Sequence, residues 1–228
     1  MIEKVAIIGA GVSGLTALKT ALESGLEATA FERGSQIGGL WNCSDKIMAG
    51  HSCVQVSTIT NTSKHTTCFS DFPMPKDWPN YLCVPKMLEY LELYVKQFDL
   101  MKKIRLNTTV LDIKQSPCYS ETGKWEIHYL SDNGDRKLEF FDAVMVCTGI
   151  NSLPIIPHFA GQENYTGKIL HSLEYHTFHP FERRRVLVVG GGNTAGGSIP
   201  TRVQKVKGLL LYSALLLFYV LFNLILGI

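Results

Sequence analysis

Short apolar runs and longer amphipathic stretches alternate along the first 150 residues and predict an α/β chain. Residues 5–8 form an apolar run typical of a strand, and an Ala- and Leu-rich stretch of helical period follows as far as Ser24. Gly25 then favours the end of that helix, and residues 28–32 form a second strand that ends in an acid. This order predicts a βαβ unit with two parallel strands.

The middle of the chain predicts one irregular segment and one helix. Residues 57–79 are rich in Thr, Ser, Asn, Asp and Pro, and irregular segments of this length are usually functional or disordered. Pro85 fits the first turn of a helix that extends to about residue 100. One face of this helix is apolar and is expected to pack in the core; its residues are Met87, Leu91, Tyr94, Val95 and Phe98.

Strand periodicity replaces helical periodicity from residue 104. Residues 110–113, 125–130 and 137–141 predict a small meander. The last two of these strands are joined through Asn133-Gly134, which is a strong hairpin signal.

A later apolar run returns the chain to the first sheet. Residues 143–147 are apolar on both faces, as a buried parallel strand requires. The run ends at Thr148 and Gly149. These two residues are therefore expected at the carboxyl edge of the sheet, where ligands bind in open α/β folds.

A second glycine-rich turn lies beyond a linker marked by Pro154 and Pro157. Residues 185–189 predict a strand that leads into it, and alanine takes the place of the third glycine, as the dinucleotide fingerprint permits. Pro200 lies where a phosphate-binding helix should continue, and proline cannot occupy a helix interior. The candidate residues of this turn are Gly190, Gly192, Asn193, Thr194 and Ala195.

The last 21 residues differ from everything before them. Residues 208–228 contain no charge and are almost continuously apolar, and as a helix they would span about 30 Å, the thickness of a bilayer's hydrocarbon core. Basic residues at 202, 205 and 207 precede them, which predicts a C-terminal transmembrane anchor with the upstream domain in the cytosol. The alternative is a buried core helix. The predicted domains are 1–150, 151–207 (a linker and the start of a second Rossmann-like domain) and 208–228.

Composition excludes several classes of function. The net charge is +2 and no basic stripe with interleaved aromatics occurs, so we expect no nucleic-acid partner. The six cysteines show no metal-ligand spacing, which predicts no metal site and fits a reducing compartment. No two of them are closer than Cys43 and Cys53, whereas flavin disulfide reductases need a cysteine pair close in sequence.

The first glycine-rich turn has the chemistry of a dinucleotide site. Gly9 allows a tight turn, Gly11 lets the backbone approach a pyrophosphate, and Gly14 lets helix and strand pack closely. The phosphates would meet the helix N-terminus, and Glu32 lies at the spacing where a carboxylate accepts hydrogen bonds from an adenosine ribose. Because an acid would repel a 2′-phosphate, this Rossmann-like site favours FAD or NAD. The alternative is a tight turn without a ligand. Ala10, Val12 and Ser13 complete the turn.

Several motifs in order resemble the flavin-containing monooxygenases, the microsomal N- and S-oxygenating enzymes. Tyr165, Gly167, His171 and Tyr175 are spaced as in that family's identifying sequence, with Tyr in place of the usual Phe at the first position. Further matching segments are 38–41, 60–64 and 71–73. The resemblance covers roughly residues 1–195.

The resemblance implies FAD along residues 9–14 and NADP at Gly190, Gly192, Asn193 and Thr194. NADPH would reduce the flavin, and oxygen would form a C4a-hydroperoxyflavin that oxygenates a small amine or sulfide. Asn61 is implied as the catalytic amide and His171 as a structural residue. Implied cofactor neighbours are Gly39, Leu40, Trp41, Thr60 and Thr62. The family's location implies the endoplasmic reticulum membrane, with the catalytic part facing the cytosol.

By this resemblance, most of the family's NADP domain and the second half of its FAD domain are expected to be missing from the sequence. Two classes of function therefore remain at the level of the sequence. The first is an FAD- and NADPH-dependent monooxygenase acting on soft nitrogen or sulfur nucleophiles. The second is a truncated, catalytically inactive, membrane-anchored flavin-binding remnant of the same family.

Overall fold

The computed structural model describes residues 2–43, 54, 57–150, 153–175, 181, 186–190 and 192, and the backbone of 209–212. The chain forms two compact units. The first contains Met1–Val54 and Asn61–Leu153, and the second contains Gln55–Thr60 and Pro154–Ile228. The three-part domain division made from the sequence stays a prediction.

A parallel four-stranded sheet organises the first unit. Its order is β3-β2-β1-β7, and its strands are β1 (Lys4–Ile8), β2 (Glu27–Phe31), β3 (Ile104–Arg105) and β7 (Ala143–Val146). Helix α1 (Val12–Glu23) connects β1 to β2, which confirms the predicted βαβ unit. Ile8 lies level with Phe31 on one side and with Val146 on the other. Three strands therefore end at the same height, and the residues that follow them meet at one edge.

One apolar core holds the helices against this sheet. The buried face of α1 consists of Gly14, Leu15, Leu18 and Ala21. Helix α3 (Val84–Gln97) has proline in its first turn and packs into the same core, as predicted. Of its predicted face, Met87, Leu91, Tyr94 and Val95 are buried.

A three-stranded antiparallel meander covers the other side of the sheet. It consists of β4 (Thr109–Gln115), β5 (Trp125–Leu130) and β6 (Arg136–Phe141), and the short helix α4 (Tyr119–Thr122) lies between β4 and β5. Gly134 has φ +81°, so the predicted hairpin is confirmed. The Phe31 ring contacts the rings of Tyr129 and Phe141 at centroid distances of 5.1 and 5.8 Å. This aromatic contact joins the meander to β2.

Strand β7 is less buried than its sequence predicts. Met145 is 40% exposed and Val146 is 68% exposed. Within the described residues β7 pairs only with β1, so it forms an edge of the sheet. The expectation of a strand buried on both faces is wrong for its carboxyl end, because apolar composition shows what a strand can bury and not what is present to cover it.

The irregular segment contains one short helix, α2 (Lys64–Thr67).

In the second unit, β8 (Val186–Val189) occupies the predicted strand. It pairs in parallel with β9 (Leu209–Tyr212), in the segment for which a membrane helix is predicted. These four residues are therefore extended rather than helical. The helix prediction is wrong for them, because an apolar run alone does not distinguish a strand from a helix. Residues 213–228 lie outside the described residues. No helix among the described residues is long and apolar enough to cross a membrane.

Among the described residues, one cysteine departs from expectation. Cys43 is disulfide-bonded. Cys68, Cys83, Cys118 and Cys147 are free thiols. A disulfide at Cys43 is not what a reducing compartment predicts, and sequence spacing could not exclude it, because a disulfide needs only two close Cβ atoms in space.

Asp142 joins the start of β1 to the meander and gives a test of stability. Its Oδ2 accepts from the backbone N–H groups of Glu3 (3.0 Å) and Lys4 (2.8 Å), and its Oδ1 pairs with Lys124 at 2.9 Å. Lys124 and these two N–H groups lower the pKa of Asp142 from 3.8 to about 2.

We expect Asp142→Asn to lower the free energy of unfolding by about 1–2 kcal/mol at pH 7, because the ionised acceptor is lost. A lowered folded-state pKa stabilises the fold above pH 3.8, and this stabilisation is lost as pH falls towards about 2. Urea unfolding at several pH values should show the difference between parent and variant shrinking through that window. A difference that is constant with pH would contradict the assignment.

Candidate dinucleotide site

Gly9 forms the tight turn that follows β1. Its φ is +106°, in the region that favours glycine. A Cβ added there would lie 2.5 Å from the carbonyl oxygen of Cys147, the residue after β7. The Gly9 N–H donates to the Phe31 carbonyl at 2.8 Å. Only glycine fits this position, even without a ligand.

Gly14 and Gly11 differ in whether the fold has space for a side chain at their positions. A Cβ at Gly14 would lie 1.9 Å from the Gly9 carbonyl oxygen, so this glycine lets α1 pack against the end of β1. Gly11 precedes α1 with φ −80°, and a Cβ there would meet nothing closer than the Gly39 Cα at 3.5 Å. The fold therefore requires glycine at position 14 and tolerates a side chain at position 11.

The N-terminus of α1 is suited to an anion. No side chain caps this end of the helix, and Val12 and Ser13 are exposed. The first N–H groups of a helix have no partner within it, and the helix dipole adds partial positive charge. A pyrophosphate therefore fits at this end of α1.

Glu32 fastens the glycine turn from inside the protein. It is only 6% exposed. Its Oε2 accepts from the Ala10 N–H at 2.8 Å, and its Oε1 accepts from the Gly34 N–H at 2.8 Å. Each carboxylate oxygen can accept more than one hydrogen bond, so the predicted contact with a ribose stays compatible with these two. The sequence predicts the ribose contact but not these two hydrogen bonds, which hold the glycine turn in place.

A second pair of glycines lies against the first turn. Gly38 has φ +110°, and its N–H donates to the Ala10 carbonyl at 3.0 Å. A Cβ at Gly39 would lie 3.0 Å from the Gly11 Cα, so the two backbones are in close contact. The short 3-10 turn Gly39–Trp41 follows, with Leu40 exposed and Trp41 half-buried.

Thr148 and Gly149 lie at the same edge of the sheet. Both are exposed, and Gly149 has φ +77°. A Cβ added at Gly9 would lie 3.7 Å from the Thr148 Cα, so the residues after β7 border the glycine turn. The structure thus brings together four separate predictions, namely the turn at residues 9–14, Glu32, Gly39 and Thr148.

The segment around Asn61 is held by other contacts. Thr60 is buried and belongs to the second unit, whereas Asn61 and Thr62 are exposed and belong to the first. The Thr62 and Thr67 hydroxyl oxygens lie 2.7 Å apart across α2. The catalytic role of Asn61 and the cofactor contacts of Thr60 and Thr62 stay predictions.

The second glycine turn is only partly described. Gly190 directly follows β8 and has φ +125°, the backbone that a tight turn after a strand requires. Gly192 is described, and Asn193, Thr194 and Ala195 lie outside the described residues. His171 Nδ1 accepts from the Leu173 N–H at 3.2 Å, which agrees with a structural role for this histidine.

Two residues near these segments contribute contacts that their sequence pattern does not predict. Gly34 donates to Glu32, and Lys64 is buried with its ammonium on three carbonyl groups. Lys64 lies within the matched segment 60–64, but neither its burial nor its partners can be inferred from spacing, because the partners belong to an irregular loop 11 to 14 residues further along the chain.

Comparison with known proteins identifies the family. The sequence model described as flavin-binding monooxygenase-like matches residues 2–220. The chain belongs to this family. It is 46% identical over 207 residues to "Dimethylaniline monooxygenase [N-oxide-forming] 2" of Macaca mulatta, an alignment that covers 90% of the chain and 38% of that protein. The chain therefore spans well under half the length of this relative.

Solved structures give the same fold. S-allyl-L-cysteine S-oxygenase from Allium sativum matches with a TM-score of 0.80 at 24% identity, covering 93% of the chain and 56% of that protein. An oxidised steroid monooxygenase bound to NADP matches with a TM-score of 0.62 at 27% identity, covering 91% of the chain and 38% of that protein. Both support an α/β flavoprotein monooxygenase fold.

The predicted cofactors agree with this family. The matching model is that of flavin-binding proteins, and the steroid monooxygenase was solved with NADP. The residues present in the first unit fit FAD, since an uncapped helix end, a tight glycine turn and a carboxylate at the end of β2 converge. FAD and NADP are therefore confirmed as the cofactors of the family to which the chain belongs.

The two glycines at positions 11 and 14 give a matched test of the flavin-binding monooxygenase site. We expect Gly11→Ala to change the free energy of unfolding by less than about 0.5 kcal/mol, since a Cβ fits there. It should nevertheless reduce FAD retention at least tenfold, because the methyl group occupies space that the pyrophosphate needs. Gly14→Ala should destabilise the fold itself. Flavin fluorescence during titration and urea unfolding measure both effects, and unchanged FAD retention in Gly11→Ala would show that the pyrophosphate lies elsewhere.

Proposed function

We propose that the protein is an FAD- and NADPH-dependent monooxygenase that oxygenates soft nitrogen or sulfur nucleophiles of small molecules. The observation that carries this proposal is the convergence at the carboxyl edge of the sheet of a glycine turn, an uncapped helix and the Glu32 carboxylate. The family supports the reaction class, and the relative from Macaca mulatta is an N-oxide-forming enzyme by name.

The residues of the first unit would divide the work of binding FAD. The N–H groups at the start of α1 bind the pyrophosphate, and Glu32 orients the ribose while it keeps the turn in shape. The backbone at Gly39 limits how far the turn can open, because it is in contact with Gly11. When bound, FAD would supply the redox chemistry that an NADPH-dependent reaction with molecular oxygen requires.

Asn61 would supply the polar group at the reacting end of the site. Its side-chain amide can donate and accept hydrogen bonds at the same time, and the residue is exposed. An amide stays neutral between pH 5 and 9, so it can hold a cofactor oxygen without exchanging protons with it. In this proposal Asn61 would orient both the flavin and the nicotinamide.

The activity test uses the purified chain with FAD, NADPH, oxygen and N,N-dimethylaniline. We expect an N-oxide that depends on both cofactors, and we expect Asn61→Ala to divert most of the NADPH electrons to hydrogen peroxide. Product analysis by mass spectrometry together with a peroxide assay gives the ratio. Retention of FAD without any N-oxide would contradict the monooxygenase proposal and favour a flavin-binding protein without this activity.

We also propose that the apolar residues that follow β9 anchor the protein in the endoplasmic reticulum membrane, with the first unit in the cytosol. The support is the uncharged apolar run preceded by basic residues at 202, 205 and 207. Carbonate extraction of membranes should leave the chain in the pellet and should release a chain that ends at Lys207. A full-length chain found in the supernatant would contradict the anchor.

A further inference from the structure

Lys64 is a buried cation in a loop region. Only 5% of it is exposed. Its Nζ donates to the carbonyl oxygens of Pro75 at 3.1 Å, Lys76 at 2.7 Å and Trp78 at 2.6 Å. An ammonium group has three protons, so these three carbonyl groups use its whole donor capacity.

The Lys64 charge is balanced by dipoles rather than by an acid. Among the described residues no carboxylate forms an ion pair with it. Burying an ammonium group costs several kcal/mol unless hydrogen bonds replace its hydration. Each carbonyl bond is therefore needed, and together they hold Lys64 in one position relative to the loop at residues 75–80.

That loop is itself fixed to the core. Met74 and Leu82 on its two sides are buried. Within it, the Trp78 N–H donates to the Pro75 carbonyl at 3.2 Å, and Lys86 of α3 lies over the Trp78 ring at 4.5 Å. The carbonyl groups that receive the ammonium are therefore presented by a rigid support rather than by a free segment.

On its other side, Lys64 fixes the chain that leads to Asn61. The Lys64 backbone N–H donates to the Asn80 carbonyl at 2.6 Å. The Ser63 carbonyl accepts from the N–H groups of Thr66 and Thr67, and the Thr62 hydroxyl lies 2.7 Å from that of Thr67. Asn61 is exposed and only three residues from the buried ammonium.

We propose that Lys64 is a positioning residue for Asn61. Its buried ammonium locks residues 61–63 to the loop at 75–80, so that the exposed Asn61 amide is held in place before any cofactor binds. This inference rests on the proposed function only for the role of Asn61. The hydrogen bonds by which Lys64 holds this segment are a property of the protein alone, and their effect can be measured without turnover.

The alternative is that Lys64 only stabilises the fold. Removal of the ammonium would then leave three carbonyl groups unpaired and would lower stability throughout the first unit. The two roles differ in which residues become less protected from amide hydrogen exchange. A positioning role predicts a local effect on residues 61–67, and a general role predicts an equal effect on α3.

The test compares Lys64→Met with Lys76→Met. Methionine keeps the unbranched shape of the side chain, lacks only its terminal ammonium and so removes its charge. Lys76 is an exposed lysine of the same loop, and its backbone carbonyl remains in the variant. We expect amide hydrogen exchange at residues 61–67 to become at least tenfold faster in Lys64→Met, with exchange in α3 unchanged. Lys76→Met should match the parent. Unchanged exchange at 61–67, or equal acceleration in α3, would overturn the proposal.

A second measurement asks whether Lys64 acts through Asn61. The visible absorbance of bound FAD is compared in the parent, Lys64→Met, Asn61→Ala and the double variant. If Lys64 positions Asn61, its replacement should shift the spectrum in the parent and add no shift once Asn61 is alanine. An additive shift would overturn the positioning role. Failure of N-oxide formation in the parent would count against the proposed function and would leave both of these measurements valid.

Discussion

The Glu32 carboxylate is the interaction on which the first unit's site depends. It lies where β2 ends and accepts one hydrogen bond from the glycine turn and one from its own strand's continuation. Because it is almost fully buried, neither N–H group could be satisfied by bulk water instead. The turn therefore has its shape before a ligand arrives, and a dinucleotide would meet a preorganised surface rather than order one at its own cost.

A charged network lies on the face of the sheet that the meander covers, and it holds β3 against the meander. Arg105 of β3 lies over the Phe31 ring at 5.2 Å and pairs with Glu139 of the meander. Its hydrogen bond to Glu139 raises the pKa of Arg105, while burial raises the pKa of Tyr129, which also donates to Glu139. Phe31 is the residue before Glu32, so the packing that fixes the Phe31 ring also fixes the backbone position from which the Glu32 side chain extends.

Sequence predicts best where the determining contacts are local. The βαβ unit follows from glycines at fixed spacing, and the hairpin follows from Asn133-Gly134, because backbone conformation there is set by a few neighbouring residues. The exposure of Val146 and the buried ammonium of Lys64 depend on what other parts of the chain bring to them. Length and hydropathy predict a helix over residues 208–228, yet residues 209–212 form a strand beside β8, since apolar side chains are compatible with either conformation.

The same distinction separates glycines that serve the fold from one that serves a ligand. Gly9 and Gly14 would each place a Cβ within 2.5 Å of a backbone oxygen, so the protein needs them with or without a cofactor. Gly11 has an ordinary φ and ordinary space for a methyl group. Alanine at this N-cap position would cap the helix less well than glycine but would lose less chain entropy on folding, so the two residues differ by less than about 0.5 kcal/mol and the fold does not require glycine there. A pyrophosphate in contact with the backbone at position 11 would require it, because a methyl group would occupy the same space.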